Sequence, residues 1–224
     1  MTLRRAFKTA LLCGLLCWAG AGARAQQFDI GSGGLPTITG ATGGTVTGSA
    51  DVTQNLVVNV NFGDVSPINT SNVVRVVVPV SIRSTGPYQV TVTAAGLFDP
   101  NPQAVQRTDI GFGARNLRQL GNKARDCNRG THLFRTPFDN DPAASLAFDA
   151  QGRAAYPATL ASLSTPVVIL SGPELTKGNS ITKKEPDNGY VFDAVFVIKP
   201  QFFAAGNFNV TLTFNIAPGP NVQC

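Results

Sequence analysis

Nine residues near the C-terminus constrain the fold more than any other stretch. Phe208, Val210, Leu212, Phe214 and Ile216 alternate with Asn209, Thr211, Thr213 and Asn215. A repeat of two sends successive side chains to opposite faces of a strand, so this segment predicts a β-strand with one apolar and one polar face. The signature recurs along the chain. Leu56, Val58, Val60 and Phe62 alternate with Asn55, Val57, Asn59 and Asn61, and Gly63-Asp64 ends that run. Val74, Val76, Val78, Val80 and Ile82 form a second series. Tyr88, Val90 and Val92 form a third, and Ser84-Thr85-Gly86-Pro87 reads as the turn of a hairpin joining it to the second. Val167–Leu170 is a short apolar run, and Tyr190, Phe192, Ala194, Phe196 and Ile198 line one face of the next strand. About seven such strands, separated by Gly, Pro and Asn turns, predict an all-β chain folded as a β-sandwich with Greek-key connections. No repeat of fixed period is visible, which argues against a propeller or solenoid. Pro79 lies inside the valine series and has no N–H for a ladder, so that strand is expected at an edge or with a bulge.

The remaining segments carry weaker signals. Residues 26–50 are rich in Gly, Thr and Ser and read as a flexible N-terminal lead-in, within which Thr45-Val46-Thr47 can pair as a strand. Residues 97–144 carry Pro100, Pro102, Pro137 and Pro142 with little periodicity and read as a long decorated insert. Ala114–Arg125 has the spacing of a short helix around Leu117 and Leu120, broken at Gly121, and Ala147–Tyr156 reads as a small hairpin around Gly152. The expected organisation is a signal peptide at 1–25, the lead-in at 26–50 and one sandwich domain at 51–224.

The N-terminus predicts export. Arg4, Arg5 and Lys8 precede an apolar run from Ala10 to Ala19, and Ala23-Arg24-Ala25 forms a small-residue cleavage site. The apolar core is too short for a permanent membrane span, so no transmembrane anchor is expected after cleavage. Cys13 and Cys17 are poor lipidation sites, because Leu12 and Leu16 precede them where a small residue is needed. Cleavage removes four basic residues and no acidic one, and the net charge falls from +5 to about +1. Charged residues are only 14% of the chain, against about 25% in ordinary domains. The expected location is the periplasm, the cell surface or the medium of a bacterium. Cys127 and Cys224 survive cleavage into an oxidising compartment, where two cysteines pair within the chain or between subunits.

The inventory for catalysis is thin. His132 is the only histidine, sits in Asn128-Arg129-Gly130-Thr131-His132 without a nucleophile-elbow pattern, and reads as a loop residue. One histidine and two cysteines are too few for a usual zinc site. Asp139, Asp141 and Asp149 offer hard oxygen ligands for calcium but lack the EF-hand offsets, and Asp-Asn-Asp-Pro is ordinary turn chemistry. Paired carboxylates for glycoside hydrolysis would need burial that the sequence does not signal. No catalytic residue, metal or cofactor is therefore expected. One charge cluster stands out. Arg107, Arg115, Arg118, Lys123, Arg125, Arg129 and Arg135 are opposed only by Asp109 and Asp126. This segment is the candidate for binding a polyanion such as an acidic polysaccharide. Phe112 and Phe134 are too few aromatics for a single-strand nucleic-acid groove, so no nucleic acid is expected.

Asn61-Phe62-Gly63-Asp64-Val65-Ser66-Pro67, followed by a valine-rich strand, resembles the early strands of pilin-like bacterial subunits of the spore-coat-U-like and chaperone–usher fimbrial kind. Ala205-Gly206-Asn207-Phe208 and the alternating run after it are similar to their closing strand. The resemblance implies a structural subunit with an incomplete Ig-like fold, completed by a strand from a neighbouring copy, with the 28–50 segment as the donated strand. The chain departs from that pattern in three ways. Its cysteines stand at 127 and 224 rather than in early strands, its tail runs on to Cys224, and its basic insert has no counterpart. The expected function is an exported structural or adhesive surface protein. The alternative is a secreted carbohydrate- or polyanion-binding module using residues 107–135.

Overall fold

In a computed structural model of the chain, the described residues are 26–40, 44–48, 54–65, 73–96, 101, 103–122, 124–125, 127, 131–144, 147–177, 181, 188–199 and 206–222. Their strands form two antiparallel sheets, so the chain is all-β. Sheet A contains β1 (Phe28–Ser32), β2 (Thr37–Thr39), β5 (Val74–Ser84), β7 (Gly111–Leu120) and β10 (Gly189–Ile198). Sheet B contains β3 (Thr45–Gly48), β4 (Asn55–Val65), β6 (Tyr88–Ala95), β8 (Leu133–Phe134), β9 (Val167–Gly172) and β11 (Gly206–Pro218). The order in sheet A is β1-β5-β10-β7, with β2 continuing along the edge of β5 that β1 occupies; in sheet B it is β3-β4-β11-β6-β9-β8.

The alternating residues explain why the sheets stack. Leu56, Val58 and Val60 of β4, Val90 and Val92 of β6, and Val210, Leu212, Phe214 and Ile216 of β11 are buried. They meet Val76, Val78 and Val80 of β5 and Phe192, Ala194 and Phe196 of β10 in one hydrophobic cluster. Phe192 crosses to Phe214 edge-on with centroids 6.5 Å apart, and Phe112 packs on Phe196 at 5.1 Å. Each fully buried side chain of this size contributes about 1.5–3 kcal/mol of hydrophobic stabilisation. Within sheet B, β11 is interior, paired to β4 on one side and to β6 on the other.

Several local expectations are corrected. Ser84–Pro87 is not the turn of a hairpin: β5 lies in sheet A and β6 in sheet B, so the chain crosses between sheets there. Alternation reports which face turns inward, and β5 and β6 satisfy it by facing each other across the core rather than by pairing. β5 is also interior rather than an edge, with β1 and β2 on one side and β10 on the other. Pro79 is accommodated because a strand residue directs its N–H and C=O to the same edge. The Pro79 carbonyl accepts from Gly33 N–H at 2.8 Å, so its missing donor faces the interruption between β1 and β2. The lead-in is not a flexible tether in its described parts, for it forms β1, β2 and β3, and Ile30 is fully buried. Gly63 does not end β4, which runs on to Val65 with Gly63 at φ +71°.

The middle of the chain is not a plain loop. Ala114–Leu120 belongs to β7 rather than to a helix, and the ladder to β10 slips between Val191 and Asp193. Asn116, at φ +57°, marks the bulge opposite that slip, and the extra residue breaks the strand-like alternation of the sequence. The hairpin around Gly152 forms as expected, with Asp149 and Arg153 bonded through their backbones, Phe148 bridged to Ala154, and Gly152 at φ +75°.

The last two strands in the sequence are inserted between strands made earlier. β10 separates β5 from β7, and β11 separates β4 from β6.

Candidate functional site

The described members of the basic segment are distributed along structured elements, and most of their charge is met within the chain. Arg115 and Arg118 project from β7; Arg115 forms an ion pair with Asp141, and Arg118 pairs with Asp193 at 3.1 Å. Arg125 pairs with Glu174 at 3.0 Å, Arg107 donates to the Gly96 carbonyl at 3.1 Å, and Arg135 donates to the Ser171 hydroxyl at 2.9 Å. Lys123 and Arg129 lie outside the described residues. Carboxylates contributed from beyond residues 107–135 therefore offset a local excess that looked unopposed in sequence.

His132 sits in a bend, as its loop reading expected, but it is buried and its partners are distant in sequence. It is 6% exposed and packs between two tyrosines at the polar end of the sandwich. Tyr88 Oη lies 3.2 Å from its Nδ1, the Tyr190 ring stands 5.0 Å away, and Tyr190 Oη donates to the Arg125 carbonyl at 2.5 Å. A side chain at Gly172 would run into the imidazole, so that glycine makes room for the ring. Removal from water disfavours the charged imidazolium and lowers the His132 pKa from 6.5 to about 4. The same burial raises the Tyr88 pKa well above 10. The contacts of His132 are with the two tyrosines, and the three rings pack one end of the core.

The acidic residues are also engaged separately. Asp139 accepts from Thr136 Oγ1 at 3.0 Å. Asp141 takes Arg75 and Arg115, and Asp149 accepts from the backbone N–H groups of Gln151 and Arg153 inside its hairpin. Among the described residues no group of three His, Cys, Asp or Glu side chains is placed to hold a metal. Arg153 Nη1 donates to both carboxylate oxygens of Asp109, at 3.1 and 3.2 Å, which ties the Gly152 hairpin to the segment just before β7. Burial raises the Asp109 pKa, against the opposing pull of the Gln106 N–H and the Arg153 guanidinium.

Sequence reasoning missed a second buried charge cluster. Arg83, at the end of β5, donates to Asn188 Oδ1 at 2.5 Å and pairs with Asp29 of β1 at 3.3 Å. All three are buried. The available signal was an arginine near the end of a valine-rich strand, with no indication of which distant carboxylate would meet it.

The outer faces of the two sheets differ. Opposite the core, sheet A presents Arg75, Asp193 and Arg115 together with Val195 and Val197, and both valines are fully buried. The covering comes from the chain itself: Pro142–Ala144 packs on β7 and β10, and side chains at Gly111 and Gly113 would strike Tyr156 and Asn140. Sheet B presents rows of uncharged polar residues. One row runs Asn55, Asn215, Thr91; the next Val57, Thr213, Thr93; the next Thr47, Asn59, Thr211. Every residue in these rows is exposed or half-buried, and none is charged. Thr211 Oγ1 donates to Asn59 Oδ1 at 2.8 Å, so neighbouring strands hold their side chains in register.

Cys127 is buried, with its sulfur 3.7 Å from the Glu174 carbonyl oxygen, while Cys224 and the expected signal peptide lie outside the described residues. Among the described residues no helix is long and apolar enough to cross a membrane. These observations define a two-sheet all-β protein with a hydrophobic core and a few buried polar groups at its margins. No family model matches the chain, and neither a curated protein nor a solved structure is significantly similar to it.

Proposed function

We propose that this chain is an exported structural or adhesive protein, pilin-like in its strands, that acts by surface contact rather than catalysis. The observation carrying the reading is the edge of sheet B. β3 is its terminal strand, no strand lies on the outer side of β3 among the described residues, and Thr45, Thr47 and Gly48 are exposed. A strand end of this kind accepts a further strand through backbone hydrogen bonds, so copies of the chain join there. Further support comes from the two stretches that carry the resemblance. They are far apart in sequence yet lie side by side, with Asn61 opposite Asn209 and Val65 opposite Gly206. The reading includes a Cys127–Cys224 bond within one chain, closing a loop of nearly 100 residues and stabilising the fold by about 4 kcal/mol in loop-entropy terms.

Two measurements test it. The chain is expressed in a secreting bacterium and whole cells are treated with a membrane-impermeant label, while the purified mature protein is followed by analytical ultracentrifugation and electron microscopy. Labelling at the surface and concentration-dependent oligomers are expected. A protein that stays monomeric throughout and is absent from the surface overturns the proposal. Non-reducing mass spectrometry checks the disulfide: one intramolecular bond is expected, and two free thiols or a dimer that separates on reduction would exclude it.

A further inference from the structure

The outer face of sheet B is a regular array without charge, and its chemistry selects a partner. An exposed protein surface usually carries charge on about a quarter to a third of its residues. From β3 to β6, the described outward side chains of this face carry none. A polyanion would find no cation there, and a basic partner no carboxylate. A lipid surface would find little to bury, since Val57, at 39% exposed, is the only exposed large apolar residue within these rows. Protein partners favour Tyr, Trp, Phe, Met and Arg, and the rows contain none of these.

What the face does offer is a lattice of donors and acceptors. Outward residues recur about every 6.6 Å along each strand, and the strands lie about 4.8 Å apart. Threonine hydroxyls both donate and accept, as do asparagine amides. The bond from Thr211 to Asn59 fixes two of these side chains but leaves the Asn59 amide nitrogen and the Thr211 lone pairs available to a ligand. The face is a sheet surface rather than a cleft, which suits an extended ligand making many individually weak contacts over a small soluble one.

We propose that this face binds a neutral, hydroxyl-rich polysaccharide in extended form. The proposal deepens the surface-contact reading by naming the contacting face and its partner. It predicts binding that resists salt, because no ion pair is involved; about 1 M salt shortens electrostatic reach to about 3 Å and would strip a charge-driven complex.

The test mixes the purified mature protein with microcrystalline cellulose, insoluble β-1,3-glucan and insoluble starch, with heparin–agarose as the charged counterpart. Depletion from solution by at least one neutral glucan, unchanged at high salt, is expected. Thr93→Glu and Thr213→Glu, made singly, place a charge in the middle row and are expected to weaken retention at least about tenfold, a change of about 1.4 kcal/mol. Thermal melts confirm that both variants fold, and Thr93→Ala with Thr213→Ala supplies a gentler second pair. Arg118→Ser, on the outer face of sheet A, is expected to leave retention unchanged. Retention by none of the glucans overturns the proposal, as does equal retention of all variants. A face that instead mediates self-association or binding to ice, with no glucan retention, overturns it too. Oligomerisation and surface labelling are separate readouts, so glucan binding by a chain that neither assembles nor reaches the surface would sink the surface-protein reading while sparing this one.

Discussion

The outer faces of the two sheets meet the same requirement in opposite ways. On sheet A, outward valines are fully buried beneath the chain's own excursion between β7 and β9, and the arginines and aspartates around them are paired. On sheet B, from β3 to β6, the described outward positions are mostly polar, none is charged, and each is exposed or half-buried. A sheet face can be covered from within or left to solvent and external partners. Covering demands apolar residues on both faces of a strand, as in β10; exposure demands strict alternation, as in β11.

The largest effect comes from breaking the shared interior. Phe214→Ala on the inner face of β11 is expected to cost about 3–5 kcal/mol in chemical denaturation. A loss below about 1 kcal/mol would show that this face is not packed as described. The buried end of the sandwich supplies a pH-dependent loss. The folded His132 pKa of about 4 lies below its unfolded value near 6.5, so the unfolded chain takes up the proton more readily. Its contribution is fully present above about pH 6.5, falls as pH drops through 4, and amounts to about 3 kcal/mol at most. A His132→Phe variant is expected to show a shallower stability loss over that window than the wild type; parallel curves would contradict the buried neutral imidazole.

The comparison between the outer faces is sharpened by a matched pair. Val195→Ala on sheet A and Val57→Ala on sheet B change the same side chain at outward positions. The first is expected to cost about 2 kcal/mol, because its two methyl groups are buried, and the second under about 0.5 kcal/mol. Equal effects would remove the asymmetry. The smallest change is Thr213→Ala, beside Val57 on the open face, expected within about 0.5 kcal/mol of the wild type by thermal melt.

These contrasts also mark what was legible in the sequence. β4, β6 and β11 could be read because their outer faces are polar, so the alternation was plain. β10 was read from one face only: Val191, Val195 and Val197 point away from the core yet are buried, and no local pattern says that Pro142–Ala144 will cover their sheet. β7 was hidden by its outward glycines, Gly111 and Gly113, and by the bulge at Asn116. Both glycines stand where the chain passes close overhead. Partners between strands were not legible, because period two reports a face and not a neighbour; hence β5 and β6 looked like a hairpin. The basic segment misled for a related reason. Asp141, Asp193 and Glu174, which oppose it, are distant in sequence and arrive only with the fold.

The late insertion of β10 and β11 governs how the molecule can come into being. A chain made from its N-terminus delivers β4, β5, β6 and β7 before the strands that must sit between them. Neither sheet has its middle until the final segment emerges, so β4, β5 and β6 each wait for one neighbour and β7 for its partner strand, and the long-range pairings that finish the core form slowly. A chain cut short before β10 should be recognised as unfinished by the proteases of its compartment, since both halves of its core would remain exposed.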